Sequence, residues 1–141
     1  MGYACPMIQE LQIRISGRGL HEITAEITDI VSSSGLDEGL CTVFVRHTSA
    51  SLTIQENADP SARMDLENWL ERLVPENDPL YTHTAEGTDD MPSHIKAALT
   101  STSLGIPIVG GRLALGTWQG IFLWEHRTSP KSRRLVVHLG A

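Results

Sequence analysis

The residues able to do chemistry in this 141-residue chain fall in four stretches: Arg46-His47-Thr48-Ser49-Ala50, Gln55-Glu56-Asn57, residues 83–94, and Gly116-Thr117-Trp118-Gln119 running on to Glu125-His126-Arg127. Each joins or interrupts an apolar segment. Polar groups normally excluded from buried positions are thereby placed where several elements can converge. That pattern describes a site rather than a surface.

Residues 83–94 supply two imidazoles, His83 and His94, and the carboxylates Glu86, Asp89 and Asp90 around a flexible Gly87. The stretch ends at the start of a helix, where the partial positive charge disfavours imidazolium. A neutral His94 there binds a metal or acts as a base. The plainer alternative is that Asp89 or Asp90 caps the helix while both histidines are solvated, and capping is the expected role of the two aspartates. His47 extends an alternating row of Cys41, Val43 and Val45, so it is partly buried and needs partners for its ring nitrogens. It serves a site, together with Thr48, Ser49 and Ser51, or it is a core histidine satisfied by the backbone. No G-x-S-x-G elbow surrounds Ser49 or Ser51, so these hydroxyls read as anion or metal-water ligands rather than nucleophiles.

Alternation over residues 117–127 puts Thr117, Gln119, Ile121, Leu123, Glu125 and Arg127 on one face and Trp118, Phe122, Trp124 and His126 on the other. The aromatic face reads as core or subunit interface. Glu125 in an apolar row must be paired, metal-bound or at an exposed strand end. Arg127 or Arg112 is the expected partner in a salt bridge, and the same arginines can grip phosphate bidentately. The chain has no G-x-x-x-x-G-K-[ST], no G-x-G-x-x-G after a strand and no H-E-x-x-H. A nucleotide cofactor is therefore not expected.

The elements that must position these groups follow from hydrophobic period. Strands are expected over residues 7–16, 39–48, 52–55, 106–115, 117–127 and 134–139, with a turn over 129–132. Leu20, Ile23, Ile27, Ile30 and Val31 predict a helix ended by Gly35. Asp59-Pro60 starts a second helix with Ala62, Leu66, Trp69, Leu70 and Leu73 on one face, and Pro75 stops it. A third, short helix starts near Asp90 and Pro92 and runs through Ile95, Ala98 and Leu99. The connection between Pro75 and Pro92 is too long for a mere turn and reads as functional or mobile. The order does not repeat as βαβ units, which predicts one α+β domain over residues 1–141 with a mainly antiparallel sheet.

Composition bounds the function. A net charge of −6, from seventeen acidic and eleven basic side chains, leaves no footprint for nucleic acid or anionic lipid. Cys5 and Cys41 are too few and too far apart for a disulfide framework, and residues 1–6 lack the pattern of a secretory signal. No segment approaches a membrane span. A soluble cytoplasmic protein is expected.

Three ordered blocks carry a resemblance to a known family: His47-Thr48-Ser49-Ala50-Ser51-Leu52-Thr53-Ile54-Gln55-Glu56-Asn57, Asp89-Asp90-Met91-Pro92-Ser93-His94-Ile95-Lys96, and Leu115-Gly116-Thr117-Trp118-Gln119-Gly120-Ile121. Together they resemble the YjbQ-like proteins, often titled secondary thiamine-phosphate synthase, over nearly the whole chain. The resemblance implies a compact α+β fold with a mainly antiparallel β-sandwich and a few flanking helices. It also implies a homotrimer with a polar cleft near the subunit boundaries, and a weak activity joining a thiazole phosphate to a pyrimidine pyrophosphate. His47, Asp90, His94 and Glu125 are then the catalytic candidates, with Thr48, Ser49, Asn57, Thr117 and Gln119 around them; for a small phosphorylated metabolite, the chemistry of the residues adds Arg112 and Arg127 as phosphate ligands. Thr88 and His126 depart from the family pattern, and no role is carried over to them.

Loss of pyrophosphate calls for a divalent metal, with Asp90, Glu56 and Glu125 as ligands if it is Mg²⁺. The histidine set His47, His83 and His94 suits zinc or another transition metal instead. Two alternatives use the same residues: a metal-dependent hydrolase of a small phosphorylated metabolite, and a non-catalytic module that holds a small anion.

Overall fold

The computed structural model describes residues 7–129 and 131–141. Cys5, the reading of residues 1–6, and Pro130 of the expected 129–132 turn lie outside the described residues. In chain order the elements are β1 (Met7–Ile15), β2 (Gly19–Glu22), α1 (Thr24–Ser34), β3 (Gly39–Val45), β4 (Ala50–Glu56), α2 (Pro60–Leu73), α3 (Asp90–Leu99), β5 (Ser103–Val109), β6 (Arg112–Leu113), β7 (Gln119–Glu125) and β8 (Lys131–Gly140). They form a five-stranded sheet in the order β1-β8-β3-β5-β6 and a three-stranded sheet in the order β2-β7-β4. Every neighbouring pair is antiparallel. This is the α+β class that the element order and the resemblance imply.

β7 shows why the sheets layer as they do. Ile121 and Leu123 enter the main core with Cys41, Val43 and Val45 of β3, Leu135 and Val137 of β8, and Ile27 and Ile30 of α1. Phe122 and Trp124 point the other way, into a second cluster with Leu20, Leu70 and Val74. The alternation read in the sequence thus separates two cores, with β7 between the large sheet and helix α2. Buried on both faces, β7 carries Glu125 and His126 to its end with no solvent on either side.

Several expected boundaries move, each for a tertiary reason. Leu20 belongs to a strand and not to the first helix, because β2 pairs with β7 through Leu20↔Trp124 and His21↔Leu123. The expected strand 106–115 is a hairpin instead: Gly110 and Gly111, at φ 60° and 74°, turn β5 into β6. This left-handed pair is open to glycine at no steric cost. β3 ends at Val45, two residues before His47. β8 begins at Lys131, so Lys131 and Ser132 are strand rather than turn.

Helix α2 begins as its sequence predicts, with Asp59 Oδ1 accepting from Ser61 N at 2.9 Å. Its burial is rotated from the expected face: Leu70 is buried, while Trp69 and Leu73 are 51% and 52% exposed. The inner side is partly held by long polar side chains. Arg63 lies over the Phe122 ring, 5.0 Å from its centroid, and Glu67 Oε1 accepts from Leu20 N at 3.2 Å.

Candidate functional site

Helix α3 places the site. Asp90 and His94, one helical turn apart, project from one face. The connection between α2 and α3 then returns His83 to them. His83 Nε2 lies 2.8 Å from Asp90 Oδ2, and His94 Nε2 lies 3.3 Å from the same oxygen. The two imidazole rings are 5.5 Å apart and tilted. One nitrogen from each ring and a carboxylate oxygen of Asp90 fall within 4.8 Å of one another.

The other carboxylate oxygen, Oδ1, takes a hydrogen bond from Arg127 Nη1. The same guanidinium donates through Nε to Asp89 Oδ2 at 3.2 Å and through Nη2 to the Glu86 carbonyl at 2.9 Å. Asp89 also accepts from Thr128 N at 2.9 Å. Neither aspartate caps α3, contrary to the expectation: Asp89 occupies the cap position without a side-chain cap bond, and Asp90 faces inward at 1% exposure. An arginine that grips both carboxylates and a loop carbonyl wins over one cap bond. Burial works to raise both carboxyls. For Asp90 the hydrogen bond from His83 and the charges of His94 and Arg127 outweigh it, for Asp89 the Thr128 N–H and Arg127 do, and both are held below the usual range.

His94 is fixed on its far side as well, with Nδ1 3.0 Å from the Thr48 carbonyl. A carbonyl only accepts, so Nδ1 carries a hydrogen. His47, Thr48 and His94 line one open cleft of about 380 Å³, floored by Ala97, Ala98 and Thr102. His47 thus lies beside the cluster of His83, Asp90 and His94, not in it. Its Nε2 accepts from Arg134 N at 2.8 Å, which leaves Nδ1 to carry the ring hydrogen. Burial, followed by the charge of Arg133, holds His47 below the usual histidine range. The cluster has Asp90 in the place that the expected set of His47, His83 and His94 gave to His47.

Glu125 is elsewhere and sealed. It is fully buried, with Oε1 accepting from Arg133 Nε at 2.7 Å and Oε2 from Arg133 Nη2 and Arg127 N. Arg133 also donates to Ser49 Oγ at 2.9 Å. The side-chain partner of Glu125 is therefore Arg133, not Arg127 or Arg112. Beside this pair His126 Nε2 meets Ser51 Oγ at 2.9 Å. Burial, then the charges of Lys96, Arg133 and Arg18, push His126 down to about 3, so it is neutral.

The remaining expected residues stand apart. Glu56 pairs in register with Gln119, six residues along the ladder from the Ala50↔Glu125 pair, or roughly 20 Å. Gln119 closes its own turn by accepting from Gly116 N at 2.7 Å, and Asn57 Nδ2 donates to Glu22 at 3.0 Å. Thr117 is exposed at the same end. Arg112 lines a different cleft with Thr28 and Ser32. The carboxylates Asp90, Glu56 and Glu125 do not converge within one chain, and a magnesium site built on those three does not form here.

Arg133, Ser93 and Lys96 were missed by sequence reasoning. Ser93 Oγ donates to the His126 carbonyl at 2.9 Å, and Lys96, 1% exposed, pairs with Glu71. For Arg133 a signal was there: the buried row Leu135, Val137 and Leu139 extends back by one alternation to reach it. For Ser93 and Lys96 there was none, because their partners lie on other elements.

Comparison with known proteins agrees with this architecture. The family described as UPF0047 protein YjbQ-like matches residues 9–141. UPF0047 protein sll1880 of Synechocystis sp. is 57% identical over 129 residues, covering 92% of this chain and 88% of that one. UPF0047 protein YjbQ of Escherichia coli O157:H7 is 45% identical over 130 residues, covering 92% and 94%. An uncharacterised protein of the yjbq/upf0047 family from Clostridium acetobutylicum, known from its crystal structure, superimposes with a TM-score of 0.85 at 36% identity, covering 93% of this chain and 98% of that one.

Proposed function

This chain belongs to the UPF0047 YjbQ-like family, and we propose that it holds a divalent transition metal on His83, Asp90 and His94 and hydrolyses a small activated metabolite there. One observation carries the reading. Nδ1 of His94 carries its hydrogen toward Thr48, so in the metal-binding form, with the imidazole neutral, Nε2 turns a lone pair toward Asp90 Oδ2, 3.3 Å away. Two lone pairs face each other, an arrangement that a cation between them relieves. Ligands about 2.0–2.1 Å from a tetrahedral ion stand roughly 3.3 Å apart, the separation of His94 and Asp90, while His83 Nε2 stands nearer the same oxygen at 2.8 Å.

The donor set fits such an ion. Two imidazoles and one carboxylate leave a coordination position open, as in catalytic rather than structural sites. Arg127 holds the second Asp90 oxygen and so fixes the carboxylate from behind. Asp89 and Asp90 together exceed the charge of Arg127, which favours a dication. When bound, the metal would supply Lewis-acid polarisation of a phosphoryl or carbonyl oxygen. His47, neutral and with its Nδ1–H available, serves as a hydrogen-bond donor in the adjoining cleft. In phosphomonoester hydrolysis water oxygen bonds to phosphorus, the P–O bond to the alcohol breaks, and the alcohol leaves with a proton from that water.

The thiamine-phosphate-synthase-like transfer needs cations for a departing pyrophosphate. Arg127 is committed to Asp89 and Asp90, and Arg112 sits in another cleft. Hydrolysis places less charge on the site and is preferred on that ground. The test is elemental analysis and zinc calorimetry on wild type, Asp90→Ala and His94→Ala. It is joined to assays of zinc-, manganese- and magnesium-loaded protein with p-nitrophenyl phosphate and with the thiazole and pyrimidine precursors. Stoichiometric metal lost in both variants, with ester hydrolysis, is expected. Coupling of the precursors without hydrolysis would favour transfer; wild type that takes up no metal would sink both.

The homotrimer and a cytoplasmic location belong to the same proposal. Trp69 and Leu73 leave half of the apolar face of α2 uncovered, and Trp118 is 63% exposed beside Thr117 and Gln119. A second subunit would cover such surfaces. Light scattering at working concentration tests the assembly. Cys41 is a free buried thiol, and among the described residues no helix is long and apolar enough to cross a membrane.

A further inference from the structure

The two imidazoles that share Asp90 open onto different spaces. His94 faces the cleft it forms with His47. His83 borders a second cavity of about 110 Å³, walled by Asn77, Asp78, Tyr81, Thr84, Thr88 and Met91. At about 30 Å³ for each water-sized occupant, it has room for three or four heavy atoms. A substrate whose reacting atom sits at the cluster can place one end in each space.

The polar groups of the smaller cavity are biased in one direction. Thr88 Oγ1 gives its hydrogen to Glu76 Oε2 at 3.2 Å, and the Tyr81 hydroxyl gives its hydrogen to the Pro75 carbonyl at 2.9 Å. Both donors are used outside the cavity, and their lone pairs remain to accept. Asp78 adds a carboxylate that receives one bond, from Leu80 N at 2.9 Å. Thr84 can turn its hydroxyl either way. No lysine or arginine is among the lining residues, and Arg127, which approaches the loop, is held by Glu86, Asp89 and Asp90. Asn77 brings an amide that offers a carbonyl oxygen as well as N–H groups, so acceptors outnumber donors; beside a carboxylate and a tyrosine ring, and with no cationic side chain on the wall, they favour a compact donor-rich cation over an anion.

We propose that the cavity walled by Tyr81, Thr84, Thr88 and Asp78 is a second half-site that takes the primary ammonium end of an aminoalkyl substrate, whose activated end lies at His83, Asp90 and His94. The proposal rests on the metal-centre reading and narrows its substrate to a short amine. Phosphate in this scheme reaches the metal side only.

The test separates the two readings. Zinc binding to wild type is measured first by calorimetry. Ethanolamine and inorganic phosphate are then titrated separately into zinc-loaded protein while backbone amide resonances are followed. Ethanolamine should shift Thr84, Thr88 and Met91 saturably, and phosphate should leave these three unmoved. Thr84→Phe, which fills the cavity, should weaken ethanolamine at least about tenfold while zinc affinity stays unchanged. Thr84→Ser should restore ethanolamine binding. Should Thr84→Phe fail to fold, Asp78→Asn replaces it, with the same loss expected. Phosphate saturating the same three amides, or ethanolamine shifting only the His47 and Ala97 side, would overturn the half-site. Ethanolamine binding in a protein that takes up no zinc would keep the half-site and remove the metal centre.

Discussion

Glu125 and Asp90 are two buried carboxylates about one strand end apart in role, and they are used in opposite ways. Both oxygens of Glu125 are saturated by Arg133 and a backbone N–H, with apolar strands on either side. Asp90 commits only one oxygen to an arginine, and turns the other toward two imidazoles that reach solvent. Burial and charge are alike, so neither marks a site. What distinguishes the two is an acceptor left over, facing groups that can exchange a proton for an ion. Glu125 reads as the lock that fixes the end of β7, and Asp90 as the working group of the proposed metal site.

The largest effect expected from breaking the comparison is on the sealed side. Glu125→Ala leaves the Arg133 charge buried and unpaired, which should cost about 3–5 kcal/mol in urea unfolding. If the variant unfolds like wild type, Glu125 is not a lock. On the open side Asp90→Ala should lower zinc affinity at least about a hundredfold, with a much smaller loss of stability, as calorimetry and unfolding together would show. Equal zinc binding would return Asp90 to a purely structural role.

Acid sharpens the contrast next. His126 belongs to the sealed side, and its folded value near 3 lies below the ordinary 6.5. The unfolded chain then binds the extra proton between those values, so stability is complete above about pH 6.5 and falls as pH drops toward 3. Between pH 6.5 and 4.5 the loss should be roughly 2–3 kcal/mol at 1.36 kcal/mol per unit, before Asp89 and Asp90 begin to protonate. His126→Gln should flatten this limb in unfolding curves; an unchanged slope would assign it to another group. The smallest effect concerns Arg127, which supports the open side from behind. Arg127→Met should weaken zinc about tenfold, and Arg127→Lys should recover only part of that because one ammonium cannot reach Asp89, Asp90 and the Glu86 carbonyl together.

Much of the frame was legible in the chain. Alternation over β1, β7 and β8 gave the strands, and the two faces of β7 separate two cores as their residue types require. Asp59-Pro60 capped α2 as expected, because cap chemistry is local. The misplacements share one cause: Leu20, Trp69 and Leu73 were assigned by period, and period is silent about which neighbour arrives. Pairing with β7 made Leu20 a strand residue, and Arg63 with Glu67 turned α2 away from its most apolar side.

The sequence by itself marked which polar groups needed partners, since histidines and carboxylates beside apolar runs are costly unless they find them, and His83, Asp90, His94 and Arg127 did find one another. Tertiary structure alone decided the partnerships. Arg133, thirty-nine residues from His94 along the chain, takes Glu125 out of reach, His47 turns its ring to the Arg134 N–H, and Asp90 is left with an oxygen between two imidazoles. Such choices depend on distances of a few ångströms between distant segments, and a linear pattern contains no such distances.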